Sequence, residues 1–271
     1  MSRAAVLPAV RLVEKPWGCT TLPAPFAAPA GQQIGEIWFE PPAMLDALLA
    51  KYIFTSEALS VQVHPDDAEA RAAGLGQNGK EECWLVIAAE PGAVLGIGFS
   101  QPLSGPAITA AARDGSIEQL LTWHPVAAGD FFYIPAGTVH AIGAGISLIE
   151  IQQNSDITFR LYDYGRPRAL HLDAGVAVSR GEPYPAELCQ NLSPSGTVQL
   201  VDGPHFRLVR LDGAPDAALL AQFGPAPVLV LPMAGSVAAE GKTAGAGECL
   251  VASLSDCRFS SGALSLVAQP V

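Results

Sequence analysis

The sequence predicts an all-β protein, a barrel or sandwich of short strands with a few short helices. Three observations carry this. Runs of bulky and β-branched residues recur at short, regular spacing, separated by turn signals. The 271 residues include 27 Gly and 23 Pro, about 18% of the chain against roughly 12% in average usage, and they are spread along its length. Hydrophobic residues make up 49% and charged residues 15%, a balance that fills a core and is far from disorder.

The elements follow in order. Residues 1–40 read as short strands separated by Pro-Ala-Gly linkers, with Ile34–Phe39 alternating enough to be a strand. Pro41–Lys51 reads as helical at its centre, because Leu45, Leu48 and Leu49 share one helical face. Ala58–His64 is β-rich and ends at Pro65. Asp66 then caps a short helix through Ala73, with carboxylates favourably placed in its first turn. Glu82–Ile87 and Ala93–Phe99 are strands, and Ile108–Leu121 is a helix that Gly115 can split. Phe131–Pro135 and Ile146–Gln153 are strands joined through the Gly143–Gly145 turn, and Thr158–Tyr164 is one more.

After about Asp173 the texture changes. Residues 181–196 are rich in Pro, Ser and Gly and read as a linker between a domain at 1–180 and a second at 197–271. Strands resume at Val198–Val201, Phe206–Leu211, Val228–Leu231 and Leu250–Leu254. Gly129-Asp130 before one strand echoes Gly247-Glu248 before another, which fits either a duplicated barrel or an ordinary turn-then-strand pattern. The second domain has no His beyond His205, so a metal site is expected only in the first.

The net charge of −11 and the lack of a basic stripe weigh against a nucleic-acid partner. An anionic ligand would depend on a few local cations. Five cysteines without a CxxC pair read as reduced thiols of a cytoplasmic protein. Met1–Val10 lacks the long apolar run of a signal peptide, and no segment is long and apolar enough to suggest a membrane partner.

The chemistry concentrates in Ser60-Val-Gln-Val-His64-Pro65. Positions two apart on a strand face the same side, so Gln62 and His64 point together and Val61 and Val63 point away. Two polar groups on one face of an apolar strand need partners, and a metal is one way to satisfy both. Glu82 opens a second strand and His140 follows a third. Imidazole, carboxylate and amide oxygen suit a borderline ion such as Zn²⁺. Each residue also has an ordinary structural reading. His124, His171 and His205 are assigned that reading outright. Lys51 and Lys80 are by default solvated, Ser60 a strand-edge hydroxyl, and Arg160 an ion-pair partner of Asp156 or Asp163.

Longer segments carry a resemblance. Gly129-Asp-Phe-Phe-Tyr-Ile-Pro-Ala-Gly-Thr-Val-His-Ala-Ile-Gly143 and Ile149-Glu-Ile-Gln-Gln-Asn-Ser-Asp-Ile-Thr-Phe-Arg-Leu-Tyr-Asp-Tyr-Gly-Arg166 closely resemble type I mannose-6-phosphate isomerases, short bacterial form. Lys15-Pro-Trp-Gly18, Leu59–Asp67, Gly79-Lys-Glu-Glu-Cys-Trp84 and Leu170-His-Leu172 fit the same family, and the likeness covers roughly residues 11–180. It implies a cupin fold, a double-stranded β-helix or jelly-roll barrel, with a degenerate C-terminal β domain. It implies one zinc ion on Gln62, His64, Glu82 and His140, with Arg160, Lys80 and Glu150 as catalytic residues. Lys51, Ser60 and Asp156 fall on substrate positions, the substrate being a small sugar phosphate. A monomer or small homo-oligomer in the cytoplasm is expected. Residues alone leave the proton-transfer base open among Glu150, Asp156 and His64. Two rival readings are a non-catalytic cupin that binds a sugar phosphate and a metal-dependent cupin enzyme of another class. The chain departs from the longer relatives at Gly79, where they carry His, and Glu81 stands where Thr is common in short ones.

Overall fold

The computed structural model describes residues 4–271; the reading of Met1–Val10 falls partly on Met1–Arg3, outside that range. Twelve strands build the first β unit. They are β1 (Val10–Cys19), β2 (Ile34–Phe39), β3 (Leu48–Phe54), β4 (Val61–Val63), β5 (Glu82–Ala89), β6 (Val94–Phe99), β7 (Leu121–Pro125), β8 (Asp130–Ile134), β9 (His140–Ile142), β10 (Ile146–Gln153), β11 (Phe159–Tyr162) and β12 (Cys189–Asn191). One sheet runs in the order β1-β2-β3-β10-β5-β8-β12 and the other in the order β11-β4-β9-β6-β7, every pairing antiparallel. This is the two-sheet jelly roll that the resemblance implies.

Strand parity decides what faces the barrel interior. Trp84, Val86, Phe132, Ile134 and Leu148 point inward from the larger sheet and meet Leu95, Ile97 and Ile142 of the smaller one. Their neighbours Tyr52, Leu85, Phe131, Ile149 and Ile151 point outward and pack against a second β unit. The larger sheet is therefore buried on both faces. Every residue of β3 is buried, so it carries no period-2 signal. That is why Pro41–Lys51 reads as a helix in the sequence. The structure corrects it: residues 41–47 form turns, and the strand begins at Leu48.

Short helices lie outside the barrel. α1 (Asp67–Ala72) starts with a capping box, in which Asp66 Oδ1 accepts from the Glu69 amide (2.9 Å) and Glu69 Oε2 from the Asp66 amide (2.8 Å). α2 (Gly105–Asp114) ends at Gly115, whose φ of +83° breaks the helix before α3 (Ile117–Leu120). α4 (Leu172–Val178), which the sequence did not suggest, packs on β11.

The second β unit contains β13 (Val198–Asp202), β14 (Phe206–Asp212), β15 (Pro227–Ala234), β16 (Ser236–Ala239), β17 (Lys242–Gly245), β18 (Leu250–Ser253), β19 (Arg258–Phe259) and β20 (Leu264–Pro270), with α5 (Ala217–Phe223) between β14 and β15. Its sheets run β13-β14-β20-β15-β18 and β17-β16-β19. Phe206, Leu208, Leu229 and Leu266 cover the outer face of the first barrel's larger sheet. The segment read as a linker contributes β12, which pairs with β8. All five cysteines are free thiols. Among the described residues, no helix is long and apolar enough to cross a membrane.

Candidate active site

Polar residues interrupt the apolar lining at one end of the barrel. Gln62 on β4 lies directly opposite His140 on β9 and opposite Arg160 on β11. His64 follows β4, and Glu82 opens β5 on the facing sheet. One ligand atom from each of His64, Glu82 and His140 lies within 4.8 Å of the other two. His64 Nε2 is 3.7 Å from Glu82 Oε2, and His140 Nε2 is 3.5 Å from Glu82 Oε1.

The tautomers are set by the backbone. His64 Nδ1 lies 2.7 Å from the Ile157 carbonyl and His140 Nδ1 lies 2.9 Å from that of Thr138. Each Nδ1 must therefore carry the proton, which leaves both Nε2 lone pairs facing the carboxylate. Burial, with Lys80 adding to it, pushes the His64 pKa well down, and burial brings His140 down to about 4. Both rings are neutral near pH 7, as a metal ligand requires.

The arrangement fits a divalent cation. Glu82 is fully buried and its Oε1 has no hydrogen-bond partner. Lys80 answers Glu82 Oε2 and approaches His64 Nε2, but a buried Oε1 without a donor, converging with two imidazole lone pairs, still favours a further cation. The Gln62 amide lies 3.3 Å from His140 Nε2, and a half-turn of that amide presents its oxygen to the same centre. Two imidazoles, a carboxylate and an amide oxygen form a donor set suited to zinc and its neighbours. Burial and the charge of Glu150 push the Glu82 carboxyl up to about 7 against the pull of Lys80. A bound cation must displace that proton. Affinity for a divalent metal is therefore expected to fall about tenfold per pH unit below about pH 7, read by competition against a chromophoric chelator.

A cavity of ≈ 340 Å³ opens beside this cluster. Lys51, Ser60, Gln62, Lys80, Glu150, Asp156 and Arg160 all line it, together with Lys15, Glu36, Arg168 and His171. Lys80 joins the cavity to the cluster. Its Nζ is 2.7 Å from Glu82 Oε2, 3.2 Å from His64 Nε2 and 3.9 Å from Glu150 Oε1. Burial would lower the Lys80 pKa, but Glu150 and Glu82 outweigh it and raise it. Lys51 is buried too, 3.1 Å from Glu150 Oε1 and 4.4 Å above the Trp38 ring. Trp84 Nε1 donates to Glu150 Oε2 at 3.0 Å. Burial alone would raise the Glu150 pKa, but Lys51 and Lys80 hold it at about 2. Ser60 Oγ donates to Gln62 Oε1 at 3.2 Å.

Arg160 stands apart. Asp163, one of its two candidate partners from the sequence, is held by Arg168 at 2.6 Å and Arg166 at 3.1 Å. Among the described residues no carboxylate forms an ion pair with Arg160. Its backbone is pinned by His171, whose Nδ1 accepts from the Arg160 amide (3.2 Å) and whose amide donates to the Arg160 carbonyl (2.8 Å). His171 and Lys15 were not among the predicted site residues. The only sequence signal for them is that both sit in the short family-like segments around Trp17 and Leu170. A larger apolar cavity of ≈ 480 Å³ lies between the two β units, lined by Tyr52, Leu85, Ile149 and Met233, on the opposite face of the sheet.

Gly79 has a steric reason. A Cβ there would lie 2.4 Å from the Pro65 carbonyl oxygen and 2.4 Å from the Asp66 carbonyl carbon, so no side chain fits before Lys80. Gly79→Ala is expected to cost about 1–3 kcal/mol in urea unfolding, because the clash is with backbone rather than with a flexible side chain.

No family model matches the chain. Curated relatives do. It is 43% identical over 173 residues to the mannose-6-phosphate isomerase of Streptococcus mutans, a match covering 60% of this chain and 54% of that one. It is 44% identical over 137 residues to mannose-6-phosphate isomerase ManA of Bacillus subtilis, covering 48% of this chain and 43% of the relative. The chain thus spans about half the length of the curated relatives it matches. Solved structures align over nearly all of it. The crystal structure of the Bacillus subtilis mannose 6-phosphate isomerase gives a TM-score of 0.81 at 24% identity, over 98% of this chain and 99% of that one. A zinc-bound mannose 6-phosphate isomerase gives 0.71 at 16% identity, over 99% and 100%. Similar in sequence to mannose-6-phosphate isomerases over about 60% of its length, the chain shares the fold of crystallised ones across nearly all of it.

Proposed function

We propose that this chain is a zinc-dependent aldose–ketose isomerase that interconverts mannose 6-phosphate and fructose 6-phosphate through an enediolate. One observation carries the reading: Lys80 touches both the His-Glu-His cluster and the polar cavity, so a sugar in that cavity would lie against the metal ligands. The curated relatives' names support the same activity.

Gln62, His64, Glu82 and His140 would hold one zinc ion, which when bound supplies Lewis-acid polarisation of the sugar carbonyl. The chain's own groups do the rest. Arg160, with no carboxylate partner, is free to face the negative charge that develops on the enediolate oxygens. Lys80 stays protonated and can hold or protonate a sugar hydroxyl. Glu150 is already committed to Lys51, Lys80 and Trp84, and at a pKa of about 2 it is a poor proton acceptor. His64 has one nitrogen on a carbonyl and the other on the ligand cluster. Asp156, exposed at the cavity wall between β10 and β11, is then the carboxylate best placed to take the C2 proton. Asp156→Asn is expected to lower kcat about 10²–10⁴-fold while KM changes little, in a steady-state assay. Lys51, Ser60, Lys15 and Arg168 give the cavity local positive charge or hydroxyl donors for a phosphate, despite the acidic whole.

The reading places the metal site in a domain at 1–180 and makes 197–271 a degenerate cupin-like partner, the whole acting in the cytoplasm as a monomer or small homo-oligomer without nucleic acid or membrane. A coupled assay for fructose 6-phosphate formation, with and without chelator, tests it. Turnover that chelation removes and Zn²⁺ restores is expected. No turnover by metal-loaded protein would overturn it.

A further inference from the structure

The second β unit meets the first mainly through apolar sheet faces. The segment before β1 also bonds to it, through the backbone pair Val6–Val251 (2.8 Å) and the Ala5 amide on Glu240 (2.6 Å), and one side-chain contact crosses beside the polar site. His205, in the turn before β14, reaches across to the first barrel. Its Nδ1 lies 3.2 Å from Gln153 Nε2 and 3.8 Å from Asp67 Oδ2, and its Nε2 lies 3.6 Å from Glu81 Oε2. The Gln153 amide orientation is set by its oxygen, which accepts from the Glu81 backbone amide at 3.0 Å. Gln153 therefore donates to His205 Nδ1, and the ring proton sits on Nε2, facing Glu81.

All three partners hold the segment Gly79–Glu82. Asp67 Oδ1 accepts from the Gly79 amide at 2.7 Å and from Gln153 Nε2 at 2.9 Å. The Gln153 backbone amide donates to the Glu81 carbonyl at 3.0 Å, and Tyr133 donates its hydroxyl proton to the Glu81 carboxylate. Alternation sends Lys80 and Glu82 inward and Glu81 outward, so a hold on Glu81 sets its two neighbours. His205 is itself anchored, since its carbonyl accepts from the Val271 amide at 3.1 Å and the turn is closed by the Gly203 amide on the Phe206 carbonyl at 3.1 Å. Its side chain is about a quarter exposed, so the contact is a rim clamp rather than core packing.

We propose that His205 is a positioning residue: through Glu81, Asp67 and Gln153 it fixes Gly79–Glu82, so that the C-terminal β unit completes the placement of Lys80 and Glu82. Its kinetic consequence rests on the isomerase reading; its structural consequence does not.

The test compares full-length His205→Ala and His205→Gln with the parent by backbone hydrogen exchange and steady-state kinetics. In His205→Ala, exchange at Gly79–Glu82 is expected to rise about tenfold while β2 and β3 keep the parent rates. The kcat should fall about tenfold with KM within about twofold, because misplacement of a transition-state contact spares ground-state binding. His205→Gln, which retains a donor near Glu81, should recover part of both. Parent-like exchange at Gly79–Glu82 in both variants would overturn the proposal, as would a uniform rise across both β units. If His205→Ala does not fold, His205→Gln decides by its own partial rise at Gly79–Glu82 or the lack of one. A parent enzyme inactive on mannose 6-phosphate refutes the isomerase reading, and the exchange comparison still decides the role of His205.

Discussion

His140→Ala is expected to release the bound divalent ion and to lower turnover of mannose 6-phosphate roughly a thousandfold, about 4 kcal/mol of transition-state stabilisation. The ring is fully buried, its Nδ1 is committed to the Thr138 carbonyl, and its Nε2 faces Glu82. Alanine removes one of two imidazole donors and leaves Glu82 Oε1 still without a hydrogen-bond partner. Metal content by atomic absorption and kcat by the coupled assay should fall together. Full metal content with full activity would mean that the ion sits elsewhere.

Glu150→Gln is expected to destabilise the metal-free protein by about 3 kcal/mol in urea unfolding. The carboxylate is 3% exposed and faces Lys51 at 3.1 Å and Lys80 at 3.9 Å. Glutamine keeps the shape and the Trp84 hydrogen bond but deprives two buried ammonium groups of the carboxylate they share, with Glu82 still answering Lys80 at 2.7 Å. The sign with pH follows from the depressed carboxyl. Glu150 stabilises the fold above the unfolded pKa of about 4.5, and that stabilisation is lost as pH falls towards about 2. The variant should therefore show a flatter acid limb than the parent. Metal-free protein is the right sample, because a bound ion would mask the loss by mass action. An unchanged midpoint would mean that Lys51 and Lys80 find other partners.

The fold was legible where strands face two different environments. Gln62 and His64 against Val61 and Val63 is a parity pattern that strand geometry alone explains. It was illegible where both faces are buried. Leu48–Phe54 has no polar side, so its leucines mimic a helical stripe. Lys51, the one charge in that run, reads as a solvated side chain until Glu150 and Trp38 are brought to it by neighbouring strands. Arg160 had Asp156 and Asp163 near it in sequence, and nothing local reveals that Arg166 and Arg168 take Asp163 first. His205 looked structural because its partners lie more than fifty residues away in another β unit.

The proposed chemistry depends on the four-residue metal site. Anomalous diffraction at the zinc edge, from crystals of Zn²⁺-loaded protein, tests it most directly. A single peak bounded by His64 Nε2, His140 Nε2, the Glu82 carboxylate and the Gln62 amide is the expected result. No peak there, or a peak bound by other residues, would contradict it.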